Sequence, residues 1–184
     1  MESSLILSSA PHIHTKDTSR RIMLDVIIAL LPAVVASVVI FGVKALGIIA
    51  ACVIAAVVSE AVFDLIVGKK QTVGDLSAVV TGLLLALNLS TNVAIWQCVV
   101  GSVFAIVVVK CLFGGLGKNF ANPAITGRVF MLLAFSSVAG GANPVIVELT
   151  TTATPLELIA QQAENAPTLM ELFLGLHGGA IGET

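Results

Sequence analysis

The sequence predicts an all-α integral membrane protein, and three observations carry that expectation. Of its 184 residues 57% are hydrophobic and only 11% charged, and the mean hydropathy is +1.05, far outside soluble norms. The apolar residues fall into long blocks, two of them long enough to cross a ~30 Å hydrocarbon core at 1.5 Å rise per residue. Lys and Arg are nearly confined to the connections between blocks, where their placement reports orientation.

In chain order, residues 1–21 form a polar leader ending in Lys16, Arg20 and Arg21, so they lack the apolar core of a signal peptide. Ile22 to Val43 reads as a first transmembrane helix, kinked at Pro32, and Ala45 to Val67 as a second. Gly68 to Ser77 is a polar connection. Ala78 to Leu89 then offers a dozen residues, about 18 Å of helix, before Asn88, Ser90, Thr91 and Asn92 interrupt. That segment is predicted to be short or discontinuous, a feature that surrounds buried sites in membrane proteins. Val93 to Val109 is a fourth span with Trp96 as an interfacial anchor, and Ala124 to Ala139 a fifth containing Arg128. The predicted organisation is a leader, a transmembrane bundle over 22–139 and an outer segment over 140–184.

Five crossings put Lys16, Arg20, Arg21, Lys69, Lys70, Lys110 and Lys118 on one side and Lys44 alone on the other. The positive-inside rule then places the N-terminus in the cytoplasm and residues 140–184, with Glu148, Glu157, Glu164, Glu171 and Glu183, outside. No basic patch points to nucleic acid. Cys52, Cys98 and Cys111 are scattered and read as small packing residues. His12 and His14 have no neighbouring ligands in the leader.

Asp25, Glu60 and Asp64 are carboxylates within apolar blocks, where each is costly unless paired, hydrated or protonated. Glu60 and Asp64, four residues apart, share a helix face. Two readings stand: a cation or proton access path, or interfacial acids that face water or pair with Arg128, Lys69 or Lys70. The run Thr150-Thr151-Thr152-Ala153-Thr154-Pro155-Leu156 is the polar landmark of the outer segment. Thr154 as N-cap, Pro155 at the first helical position and Glu157 three residues after the cap make a helix start. The same geometry suits a phosphate, because free N–H groups and the positive end of the helix dipole converge there.

Several motifs, in this order, carry a resemblance. They are Ser9-Ala10-Pro11-His12-Ile13-His14 with Ile22 to Ala33; Asp75-Leu76-Ser77 with Thr81 to Leu87; Gly114-Gly115-Leu116-Gly117-Lys118-Asn119-Phe120-Ala121-Asn122-Pro123-Ala124; and Gly178 to Thr184. From end to end the chain resembles the D subunits of Rnf complexes, membrane-bound ferredoxin:NAD oxidoreductases that export Na⁺ or H⁺, and the related NqrB subunits of Na⁺-pumping NADH:quinone reductases. The resemblance implies FMN joined through its phosphate to a threonine, in a Ser/Thr-Gly-Ala-Thr motif whose last residue is the attachment point. Thr151-Thr152-Ala153-Thr154 matches with Thr152 in place of Gly, which makes Thr154 the expected site and Thr151 and Thr152 the fallbacks. It also implies a second, non-covalent riboflavin, for which the polar stretch from Asn119 through Asn122 to Arg128 is a candidate. Partners implied are the A, B, C, E and G subunits of the complex and membrane lipid. Relatives of this kind are close to twice as long, with two inverted halves of about five helices, so this chain is expected to be the first half of a ten-helix fold. The alternatives are an NqrB-type subunit, or a small-solute channel with the similar scaffold of urea transporters.

Overall fold

A computed structural model describes residues 18–135, 168–174 and 180–182, and among these the regular structure is entirely helical. Helix α1, Ser19–Phe41, starts at Thr18, whose hydroxyl accepts a hydrogen bond from the Arg21 amide at 3.4 Å, and runs through Pro32. Gly42 at φ 72° separates it from α2, Val43–Val67, which ends on the left-handed Gly68. These two helices are long and apolar enough to cross a membrane. A 3₁₀ turn, Val73–Asp75, leads into α3, Ser77–Leu87. Helix α4, Ile95–Val103, continues as a π-helix over Phe104–Cys111. Helix α5 spans Pro123–Ala134 and a short α6 spans Leu169–Leu174.

Helix α3 is the short helix that its polar flanks dictate. Its eleven residues span only about 16 Å. Helix α5 is also short, at twelve residues, because Phe135 adopts an extended backbone at φ −135°, ψ 113°. Helix α3 is the most buried of these elements, packed between α2, α1 and α5.

Burial follows membrane logic. Val35, Val39, Ile54 and Leu133 point outward, while Ala45, Cys52, Leu85, Ala86, Cys98 and Met131 are sealed inside. Lipid supplies no hydrophobic drive between helices, so close packing of small residues must hold them together. Gly82 of α3 is such a point: a Cβ there would lie 2.8 Å from Val53 Cα and 2.9 Å from the Cys52 carbonyl oxygen, so the α2 and α3 backbones touch.

The end of α3 lies deep enough that its free carbonyls need partners. They come from the far end of the chain. The Ile181 amide donates to the Leu89 carbonyl at 2.9 Å and the Gly182 amide to the Leu87 carbonyl at 2.7 Å. Ile181 is fully buried, so Ala180 to Gly182, at the end of the stretch read as an outer segment, packs into the bundle.

Candidate functional site

The unusual chemistry among the described residues is a polar cluster between α2, α3 and the π-helical part of α4. Lys110 is buried, and its Nζ lies 2.6 Å from Glu60 Oε1 and 2.6 Å from Ser77 Oγ, donating to both. Glu60 is buried as well, and its Oε2 has no hydrogen-bond partner among the described residues. The Thr72 hydroxyl sits 2.7 Å from Glu60 Oε1 and 2.9 Å from Asp64 Oδ2, sharing its one proton between two carboxylates. The Thr72 amide also donates to Asp64 Oδ2 at 2.8 Å. Asp75 Oδ1 accepts from the Ser77 amide at 2.8 Å and from the Ser77 hydroxyl.

Local sequence explains each position. The spacing of Glu60 and Asp64 turns both acids to the same buried side of α2. Asp75 bonds the first amide of α3 beside Leu76, which holds a left-handed φ of 65° uncommon for a non-glycine residue. The π-helix swings Lys110 inward, and π-turns of this kind recur at functional sites. A charge this deep is tolerable only when paired and hydrogen-bonded. Lys110 is itself the cation of this site, and a metal ion would compete with it for Glu60 Oε1. Among the described residues no group of three or more His, Cys, Asp or Glu side chains gathers to hold a metal.

The outer edge of the cluster is the exposed Thr72, so the buried pair lies one hydroxyl from the surface. On another side it borders a cavity of about 130 Å³ lined by Ser77, Thr81, Lys110, Asn119, Asn122 and Pro123, among others. Asn119 Oδ1 is buried there without a hydrogen-bond partner among the described residues. Asn122 caps α5, its Oδ1 accepting from the Ala124 amide at 3.0 Å and the Ile125 amide at 3.4 Å. Two of the three Lys110 N–H groups are given to Glu60 and Ser77, so the last N–H of Lys110 and the orphan acceptor of Asn119 are the polar groups that would meet one edge of a flavin ring. The volume takes that edge and not the whole three-ring system.

The NQR2, RnfD, RnfE family matches residues 6–184. The chain belongs to this family. It is 48% identical over 186 residues to the D subunit of the Na(+)-translocating ferredoxin:NAD(+) oxidoreductase complex of Acetobacterium woodii, covering 99% of this chain and 58% of that protein. It is 35% identical to the proton-translocating counterpart of Clostridium ljungdahlii, covering 97% and 57%. It is 36% identical to the D subunit of the ion-translocating oxidoreductase complex of Salmonella newport, covering 92% and 46%. The chain thus spans less than two thirds of the length of each of these relatives.

Against this family background the predicted site residues separate. Glu60 and Asp64 come together, but the cation on Glu60 is Lys110, not Arg128, Lys69 or Lys70. Asp25 is exposed in the second turn of α1 and stands outside the network. Asn119 and Asn122 line one cavity, while Arg128 is half-buried in the second turn of α5. Thr151, Thr152 and Thr154 lie outside the described residues, as do His12 and His14. Sequence reasoning missed Lys110, which it placed in a loop just past Val109. Two buried carboxylates on α2 demand a cation at their depth, and Lys110 is the first basic residue at the end of a neighbouring span.

Proposed function

We propose that this chain is the D-type membrane component of an Rnf complex, or a portion of one, relaying electrons in a ferredoxin:NAD oxidoreductase that moves Na⁺ or H⁺. The observation that carries this reading is the 48% identity over nearly the whole chain to a protein of that name. An NqrB-type role is the second reading, within the same family. The three relatives compared are all D subunits of such complexes, which favours the first.

In this reading Thr154 carries FMN through a phosphoester, with Thr151 and Thr152 as its neighbours. When bound, the isoalloxazine accepts one or two electrons and so joins two-electron to one-electron carriers. Thr154, Pro155 and Glu157 carry the residue pattern of a helix start, and free amides at such a start favour a phosphate. Charge asymmetry supports an outer location for this segment and a cytoplasmic N-terminus. Riboflavin is assigned by its polar edge to the cavity at Asn119 and Asn122. Glu60 and Asp64, reached through Thr72, form the candidate cation or proton path. The A, B, C, E and G subunits of the complex are the proposed partners.

The test is in-gel fluorescence. The denatured chain, expressed with its flavin transferase, should fluoresce under ultraviolet light, and Thr154→Ala should abolish the signal. A dark wild-type band would contradict the flavin assignment, and a fluorescent Thr154→Ala band would move the attachment to Thr151 or Thr152.

A further inference from the structure

A groove of about 340 Å³ runs along the outer side of the α2–α4 contact, lined chiefly by Val58, Val62, Phe63, Ile66, Val99 and Val103. Its floor includes Ser59, whose hydroxyl donates to the Ala56 carbonyl at 3.0 Å and so has no proton left for a ligand. The surface is therefore apolar along its length. A furrow with such an apolar lining can seat an extended hydrocarbon chain.

Charge identifies what the chain is attached to. Ile66 marks one end of the groove, and Lys69 and Lys70 follow immediately, both exposed. Lys69 Nζ stands 6.0 Å from the centroid of Phe63, itself a lining residue, so an ammonium overhangs the groove mouth. Of the carboxylates near this end, Glu60 is paired with Lys110, and Asp64 accepts its hydrogen bonds from Thr72 on the side of the buried cluster. An apolar furrow that ends in two exposed lysines is complementary to an acyl chain bearing an anionic headgroup.

We propose that this groove is a binding site for one anionic phospholipid, with an acyl chain between α2 and α4 and its phosphate on Lys69 and Lys70. The test uses the full chain in detergent, titrated with phosphatidylglycerol or phosphatidylcholine and read by native mass spectrometry. Phosphatidylglycerol should be retained in preference to phosphatidylcholine. Lys69→Gln and Lys70→Gln should each weaken retention roughly fivefold, and Val62→Trp, filling the groove from a lipid-facing position, should weaken it comparably while leaving the helical circular dichroism unchanged. Retention unaffected by Val62→Trp overturns the proposal in favour of plain surface attraction. Equal retention of the two lipids overturns it as well. So does efficient cross-linking of Val58→Cys to a neighbouring protein in native membranes, which would make the occupant a polypeptide.

Discussion

Lys110 Nζ lies 2.6 Å from Glu60 Oε1, fifty residues away in sequence, with both side chains almost fully buried. The pair ties α2 to the π-helical end of α4, and the Ser77 bond brings in the start of α3. Removing one partner strands a charge, which costs about 3–5 kcal/mol, whereas replacing both is often nearly neutral. Lys110→Met alone should lower thermal stability in detergent sharply, and Glu60→Gln with Lys110→Met should recover most of the loss. A double variant as unstable as the sum of the singles would show that the two charges do not interact.

The α2–α3 contact should prove as sensitive. A Cβ on Gly82 would meet Val53 Cα at 2.8 Å, a backbone atom that cannot rotate away. Gly82→Val is expected to cost about 1–3 kcal/mol or more by overpacking, read as a lower melting temperature. Gly47 has open space around the same position, so Gly47→Ala should leave it unchanged.

The hook at Gly182 gives a separate test. Its amide is the donor for Leu87, and a Cβ would lie 2.8 Å from Leu87 Cβ. Gly182→Val should loosen Ile181 from its seat beside α3, speeding hydrogen exchange at the Ile181 amide while the middle of α2 stays protected. Unchanged exchange at Ile181 would show that the Gly182 contact does not hold it.

How far the sequence led depends on which physics wrote each feature. Long helices are legible because their signal is composition: α1 and α2 are simply long apolar blocks. The short α3 is legible because Asn88, Ser90 and Asn92 interrupt its block. Lys110 was not, because its inward turn comes from a π-helical register that residue types do not encode. The hook of Ile181 and Gly182 onto Leu89 and Leu87 is a long-range backbone contact, invisible to any local pattern. The shared burial of Glu60 and Asp64 could be read from their spacing, but their partner could not.

Asp64→Asn preserves shape while deleting a charge beside Thr72. On the proposed path it should lower ion transport per electron transferred by the reconstituted complex several-fold, with flavin content unchanged. Coupling at the wild-type ratio would remove Asp64 from the path and leave it the role of holding the Thr72 connection.

Asn119 bears the orphan acceptor of the α3–α5 cavity. Asn119→Leu should reduce the riboflavin released by acid extraction of the purified complex, without changing the covalent FMN. Undiminished extractable riboflavin would place that cofactor elsewhere.

Thr154 as a flavin-bearing residue is the central claim, and intact mass addresses it directly. The chain expressed with its flavin transferase should weigh its sequence mass plus one FMN less one water, and Thr154→Ala should return the unmodified mass. A wild-type chain at its bare sequence mass would contradict that claim.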